Sequence, residues 1–257
     1  MRKRSTSKPT SAPKPWAVRH GLARVLSKLG FCSRSQATAL IAAGRVAVNG
    51  RIECNPERPV SPGDDLTVDG QTVESSSRVY LMLNKPRGLV TTKADEQGRE
   101  TVFSCLEGHG LPYVSPVGRL DKASEGLLLF TNDTAWAAQI TDPANHLEKT
   151  YHVQVNCLAG EDLVRQLAAG RECEGDFLSA KRARLLRSGE KNSWLEIILD
   201  EGKNRHIRRL LAAFKIAVLR LIRVQIGSLE LGPLPKGQFR PLTEGEVSSL
   251  GEQPHTE

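Results

Sequence analysis

Nowhere along the 257 residues do about 18 apolar side chains run together, the length a helix needs to cross a bilayer. The opening stretch MRKRSTSKPTSAPKPW has no apolar segment of the kind a secretory signal carries, so a soluble cytoplasmic protein without membrane association is expected. Cysteine is sparse and unpatterned: Cys32, Cys54, Cys105, Cys157 and Cys173 are odd in number, widely spaced and free of any C-x-x-C pair. That argues against a disulfide framework and a zinc site, leaving reduced thiols that serve mostly as small core residues. His109, His146 and His152 lack metal-ligand spacing. No G-x-G-x-x-G or Walker sequence appears, which weighs against a doubly wound nucleotide-binding fold. The 39% hydrophobic content nevertheless suffices for a real core, in one large domain or two ordinary ones.

Acidic residues are missing from particular places. Residues 1–20 hold Arg2, Lys3, Arg4, Lys8, Lys14 and Arg19 and no acid, with three prolines and few large apolar side chains, so they read as a flexible basic arm. Between Gly21 and Arg51 lie Arg24, Lys28, Arg34, Arg45 and Arg51, again with no acid. A third acid-free run holds Lys203, Arg205, Arg208, Arg209, Lys215, Arg220 and Arg223. Beyond residue 70 the charges otherwise balance, so affinity for a polyanion must come from where the cations sit.

Leu22, Val25, Leu26 and Leu29 form one helical stripe ending near Gly30. Ser33-Arg34-Ser35-Gln36 has capping-box spacing ahead of a second short helix that stops at Gly44. Val46 and Val48 alternate into Asn49-Gly50, a two-residue hairpin signal, and Ile52 and Cys54 alternate out. Pro62-Gly63 turns the chain into a strand from Leu66 to Val68, and this unit closes by about Gly70. Two basic helices beside a hairpin reading Gly44-Arg45-Val46-Ala47-Val48-Asn49-Gly50 resemble the S4 RNA-binding domain. The resemblance assigns residues 21–70 to such a domain, with Arg24, Lys28, Arg34 and Arg45 facing RNA phosphates. The polar stretch 71–78 reads as a linker, and residues 79–250 as a second domain followed by a short tail, 251–257.

In the second domain, strands are predicted at Val79 to Leu83, Leu127 to Phe130, Tyr151 to Val155, Leu178 to Leu186, Leu195 to Leu199 and Leu219 to Ile226. Helices are predicted around Thr134 to Ile140, Glu161 to Ala169 and His206 to Phe214. The mixture has no regular βαβ repeat and predicts an α+β fold with a largely antiparallel sheet. Leu120 and the run Leu127 to Phe130 read as core. The segment from Gly118-Arg119-Leu120-Asp121 through Gly126-Leu127-Leu128-Leu129-Phe130-Thr131-Asn132-Asp133 is, on chemistry alone, a charged turn before an apolar strand. It closely resembles the signature of the pseudouridine synthases. Asn84-Lys85-Pro86-Arg87-Gly88 before it, Glu148-Lys149-Thr150-Tyr151 after it and Glu201-Gly202-Lys203-Asn204-Arg205-His206-Ile207-Arg208-Arg209 later match further landmarks of that family in order. His206 stands where relatives often carry Gln, a change that keeps hydrogen-bonding capacity.

The resemblance implies a monomeric enzyme that needs no cofactor or metal. It would convert one uridine of bacterial ribosomal RNA, 23S in preference to 16S, in free RNA or an assembly intermediate. It places Asp121 as nucleophile, Tyr151 on the uracil and Arg208 as the ion partner of Asp121, and assigns Arg119, Lys149, Lys203, Arg205 and Arg209 to the RNA. A carboxylate suits attack on, or stabilisation of, an electron-poor sugar carbon. A planar guanidinium at Arg119 can fill the stack vacated by a flipped base. Two other classes compete: a non-catalytic S4-type RNA-binding protein, which would not need an intact Asp121 segment, and a glycosidase, which normally wants a second carboxylate across the bond.

Overall fold

The stripe at Leu22, Val25, Leu26 and Leu29 becomes the spine of the first of two units, each buried from solvent in one core with Ile41, Val46, Val48 and Leu66. The computed structural model describes residues 19–92 and 97–251. Most of the basic arm and residues 252–257 of the tail lie outside the described residues. Among the described residues, the first unit comprises 19–78 together with Pro112–Val114, and the second the remainder.

In the first unit β1 (His20–Gly21) leads into α1 (Leu22–Lys28) and α2 (Arg34–Ala42). The predicted capping box forms: Ser33 Oγ accepts from the Gln36 N–H at 3.1 Å while Gln36 Oε1 accepts from the Ser33 N–H at 3.1 Å. β2 (Val46–Val48) and β3 (Arg51–Ile52) are joined by Asn49 and Gly50, both at positive φ (52° and 76°), the conformation that a tight hairpin demands. β4 (Pro59–Val60) pairs with β1. β5 (Leu66–Val68) and β6 (Gln71–Thr72) complete a sheet of order β3-β2-β5-β6. The expected linker therefore starts as a strand. Gln71 and Thr72 pair with β5, Val73 is buried in the core and the Ser76 N–H donates to the Leu29 carbonyl. An edge strand exposed on both faces is polar, so composition alone reads it as a connection.

The second unit is built on a nine-stranded sheet. Its strands are β7 (Tyr80–Lys85), β8 (Ser115–Val117), β9 (Glu125–Thr131), β10 (Lys149–Val155), β13 (Arg182–Ser188), β14 (Ser193–Leu199), β15 (Val218–Ile226), β16 (Leu229–Glu230) and β17 (Phe239–Pro241). β11 (Arg171–Cys173) and β12 (Asp176–Leu178) form a separate hairpin. The helices are α3 (Thr134–Thr141), α4 (Glu161–Ala169), α5 (His206–Ala213) and α6 (Glu244–Gly251). The main path runs β13-β14-β10-β15-β9-β7-β17, with β16 on β15 and β8 on β9. Every named pair is antiparallel except β15 with β9, as an α+β fold with a largely antiparallel sheet requires. All seven residues of β9 are buried, as expected of a central strand. Gly126 is required there, because a Cβ would lie 2.2 Å from the Arg223 carbonyl of the neighbouring strand. One core packs α5 through Ile207, Leu210 and Leu211 against Val153, Leu195 and Ile197. Another gathers Met82, Leu127, Leu129, Trp136 and Ile226. Among the described residues no helix is long and apolar enough to cross a membrane.

Candidate active site

Asp121 sits on the loop from β8 to β9, and its backbone is fastened from several sides. Gly118 opens the loop at φ +72°, and the Ser124 N–H donates to the Asp121 carbonyl at 3.0 Å. The Thr91 hydroxyl donates to the Leu120 carbonyl at 2.7 Å, and the Gly88 N–H donates to the Lys122 carbonyl at 2.8 Å. Lys85 ends β7 wholly buried, and its ammonium donates to the carbonyls of Pro86, Asp121 and Ser124 at 3.1, 3.2 and 2.9 Å. Burial pushes Lys85 down to about 8, with Asp121, Cys105 and Glu125 pulling it back up. The turn is thus held by hydrogen bonds and the carboxylate remains about one-third exposed.

Two guanidinium groups face that carboxylate. Arg205 Nη1 lies 3.5 Å and Arg208 Nε 3.8 Å from the same Asp121 oxygen. Arg208 projects from the first turns of α5, only 14% exposed, and its Nη2 donates to the Ala123 carbonyl at 3.1 Å. Burial and the neighbouring Arg205 hold Arg208 below its ordinary value, while Asp121 acts the other way. Arg205 is half exposed and caps α5 in the left-handed region, at φ +47°.

A cavity of about 490 Å³ opens at Asp121, and Tyr151, Lys149, Arg205 and Arg208 line it. That volume is in the range of small-molecule sites. β10 carries Tyr151 with its ring half-buried against the same core as Val153 and Val155. Lys149, two residues earlier on the same face, is lowered by burial and then by repulsion from Arg223, against attraction to Asp200. Arg119 is exposed at the cavity wall, and Lys203, also on the wall, donates to the Phe177 carbonyl at 2.9 Å and pairs with Glu201 at 3.1 Å.

Arg209 differs from its expected role. It lies off the cavity wall and grips the β11–β12 hairpin, donating to Asp176 at 2.8 Å and to the Cys173 carbonyl at 2.6 Å, with Glu174 at 3.1 Å. Successive helical residues diverge by about 100°, so adjacent arginines on α5 cannot share one target. Buried His206 donates from Nε2 to the Ser179 carbonyl at 3.0 Å. In the first unit Arg24 and Arg34 are exposed, Lys28 Nζ is 2.8 Å from His20 Nε2, and Arg45 forms a two-pronged pair with Asp69.

In the sequence Lys85 stands only within a family landmark and Arg223 only within an acid-free run, and the fold buries Arg223 in the cavity wall. The signal existed: Leu221 and Arg223 share the parity of an alternating strand, so an arginine stands at an inward position.

A family model described as RNA pseudouridylate synthase matches residues 79–213, and one described as S4 domain matches residues 21–66. The chain is 37% identical over 223 residues to an uncharacterized RNA pseudouridine synthase of Rickettsia prowazekii (strain Madrid E), covering 86% of this chain and 94% of that one. It is 34% identical over 232 residues to the ribosomal large subunit pseudouridine synthase B of Bacillus subtilis (strain 168), covering 89% and 94% respectively. Among solved structures, a crystal structure of a pseudouridylate synthase matches with a TM-score of 0.62 at 29% identity, over 91% of this chain and all of that one.

Proposed function

The chain belongs to the RNA pseudouridine synthase family, and from that premise we propose that it converts a uridine of ribosomal RNA, in the large subunit, to pseudouridine with Asp121 as nucleophile. The large-subunit assignment rests on likeness to the Bacillus subtilis ribosomal large subunit enzyme. One observation carries the assignment of Asp121: its carboxylate meets two cations at the cavity that Tyr151 also lines.

The reaction breaks the bond from uracil N1 to ribose C1′, turns the base and joins C5 to C1′. Every atom is retained and no net electron moves. Asp121 attacks or stabilises C1′ while the base is detached, and Arg208 faces the same carboxylate at 3.8 Å. The Tyr151 ring packs on the flipped uracil, with its hydroxyl available for the C5 proton. Arg119, exposed at the wall, fills the stack the base has left, and Lys149, Lys203 and Arg205 meet the RNA around it. The S4 unit anchors the RNA by its phosphates. The protein works as a cytoplasmic monomer in this reading.

Asp121→Asn keeps the side-chain shape and removes the nucleophilic charge. RNA binding should persist while tritium release from [5-³H]uridine ribosomal RNA vanishes; appreciable turnover would sink the assignment. Pseudouridine mapping of ribosomal RNA from cells with and without the protein identifies the target.

A further inference from the structure

We propose that Arg223 contacts the substrate: its guanidinium donates to a carbonyl oxygen of the flipped uracil and stabilises the negative charge on the detached base. This rests on the pseudouridine synthase reading above. Arg223 is only 5% exposed and lines the cavity that holds Asp121. Its Nε donates to the Leu127 carbonyl at 2.8 Å, which fixes the plane of the group. Its Nη2 is buried and has no hydrogen-bond partner among the described residues. Lys85, the other lysine or arginine buried among the described residues of this unit, is answered from within by three carbonyls. Arg223 instead lies close enough to Lys149 to repel it. An unanswered buried donor on a cation is costly, and such a group persists where a ligand completes it.

The strand geometry aims this residue. Tyr151 and Arg223 are direct partners across β10 and β15, so their side chains leave the sheet on the same face. The register shifts beside this pair, Thr150 opposing Gln225 and Tyr151 opposing Arg223, so Val224 is bulged out. Bulges re-aim neighbouring side chains and recur beside active sites. On the other side β9 presses against the Arg223 backbone at Gly126, so β15 cannot withdraw.

A base packed on Tyr151 therefore has Arg223 beside it. When N1–C1′ breaks, the bonding pair stays with N1 and spreads onto the ring carbonyls, while C1′ takes its bond from an Asp121 oxygen. C5 then displaces that oxygen from C1′, the C5 proton leaves, and N1 gains a proton, so composition is conserved. A fixed cation at a carbonyl binds the detached, charged base more strongly than neutral uridine, which is what lowers the barrier. A phosphate contact is the weaker reading, because Arg223 is only 5% exposed while Lys203 and Arg205 on the same cavity wall stand open to solvent.

The test compares the full-length wild type, Arg223→Gln and Arg223→Lys in single-turnover pseudouridine formation at saturating ribosomal RNA, with RNA affinity and melting temperature measured alongside. Arg223→Gln should lose about a hundredfold or more in rate at nearly unchanged affinity, as for loss of one oxyanion donor, and Arg223→Lys should recover part. An unchanged rate, or a loss that follows affinity and is restored at low salt, overturns the inference. A second measurement needs no variant: the wild type acts on RNA whose target uridine carries sulfur at position 2 or at position 4, a poorer acceptor. One of the two should slow the reaction, and wild-type rates on both overturn the inference even if Arg223→Gln does not fold. A wild type inactive on unmodified RNA overturns the pseudouridine reading and this inference with it.

Discussion

Asp121, Tyr151 and Arg208 come from three short motifs far apart in the chain and meet at one cavity. Arg209, next to Arg208 in a run of like charges, turns away to Asp176, 33 residues off in the chain. The two neighbours therefore make a matched experiment. Arg208→Met removes a nearly buried partner of Asp121, and its single-turnover rate should fall by about a hundredfold, equal to about 2.7 kcal/mol of barrier. Low salt should not restore that rate, and Arg208→Lys should recover only part, since an ammonium cannot hold both Asp121 and the Ala123 carbonyl in the same plane. Arg209→Met should lower the melting temperature by loosening the hairpin while leaving the rate of folded protein near wild type. A wild-type rate in Arg208→Met at low salt would reassign Arg208 to the RNA backbone.

Elements with a strong local period match their sequence pattern almost to the residue: α4 spans Glu161–Ala169 as predicted, and α5 ends one residue early. The run Leu178 to Leu186 has the pattern of one strand, with nothing local to break it. It divides into β12 and β13 because the Ala180 N–H turns to the Leu167 carbonyl and the Lys181 N–H to the Ile198 carbonyl, long-range bonds that leave no local trace. Lys85 is a further non-local feature, a strand-end residue tying β7 to the Asp121 loop. The folded chain releases its proton near pH 8 and an unfolded chain near 10.5, so between those values the unfolded chain binds more protons. This group's contribution to stability therefore rises with pH across that window. The reaction should move the other way. An ammonium has three donors for three carbonyls and the neutral amine has two, so the wild-type rate should fall as pH climbs through about 8. Lys85→Met should be slow throughout and lack that step. Wild-type and variant profiles of the same shape above pH 8 would remove Lys85 from the loop's control.

At the scale of the whole molecule the formal charge of +7 says little, because position decides which cations can meet RNA. In the S4 unit the sequence offers Arg24, Lys28, Arg34 and Arg45 as equals, and the structure separates them. Arg24 and Arg34 stand exposed on the first turns of α1 and α2, whereas Arg45 is held by Asp69 and Lys28 by the His20 ring. A cation already neutralised by a carboxylate releases little counterion when RNA arrives. Arg24→Gln with Arg34→Gln, in the full chain, should therefore weaken binding and flatten the dependence of log K on log salt by roughly 1.4 to 1.8, at about 0.7 to 0.9 for each phosphate left without its cation. Arg45→Gln with Asp69→Asn removes a pair of zero net charge and should leave the slope near wild type. Neither double variant should alter the single-turnover rate once RNA saturates, because the chemistry belongs to the second unit. A wild-type slope in the first double variant would show that these two helices do not meet the phosphates, and a slow rate at saturation would give the S4 unit a part in presenting the uridine rather than in anchoring the RNA.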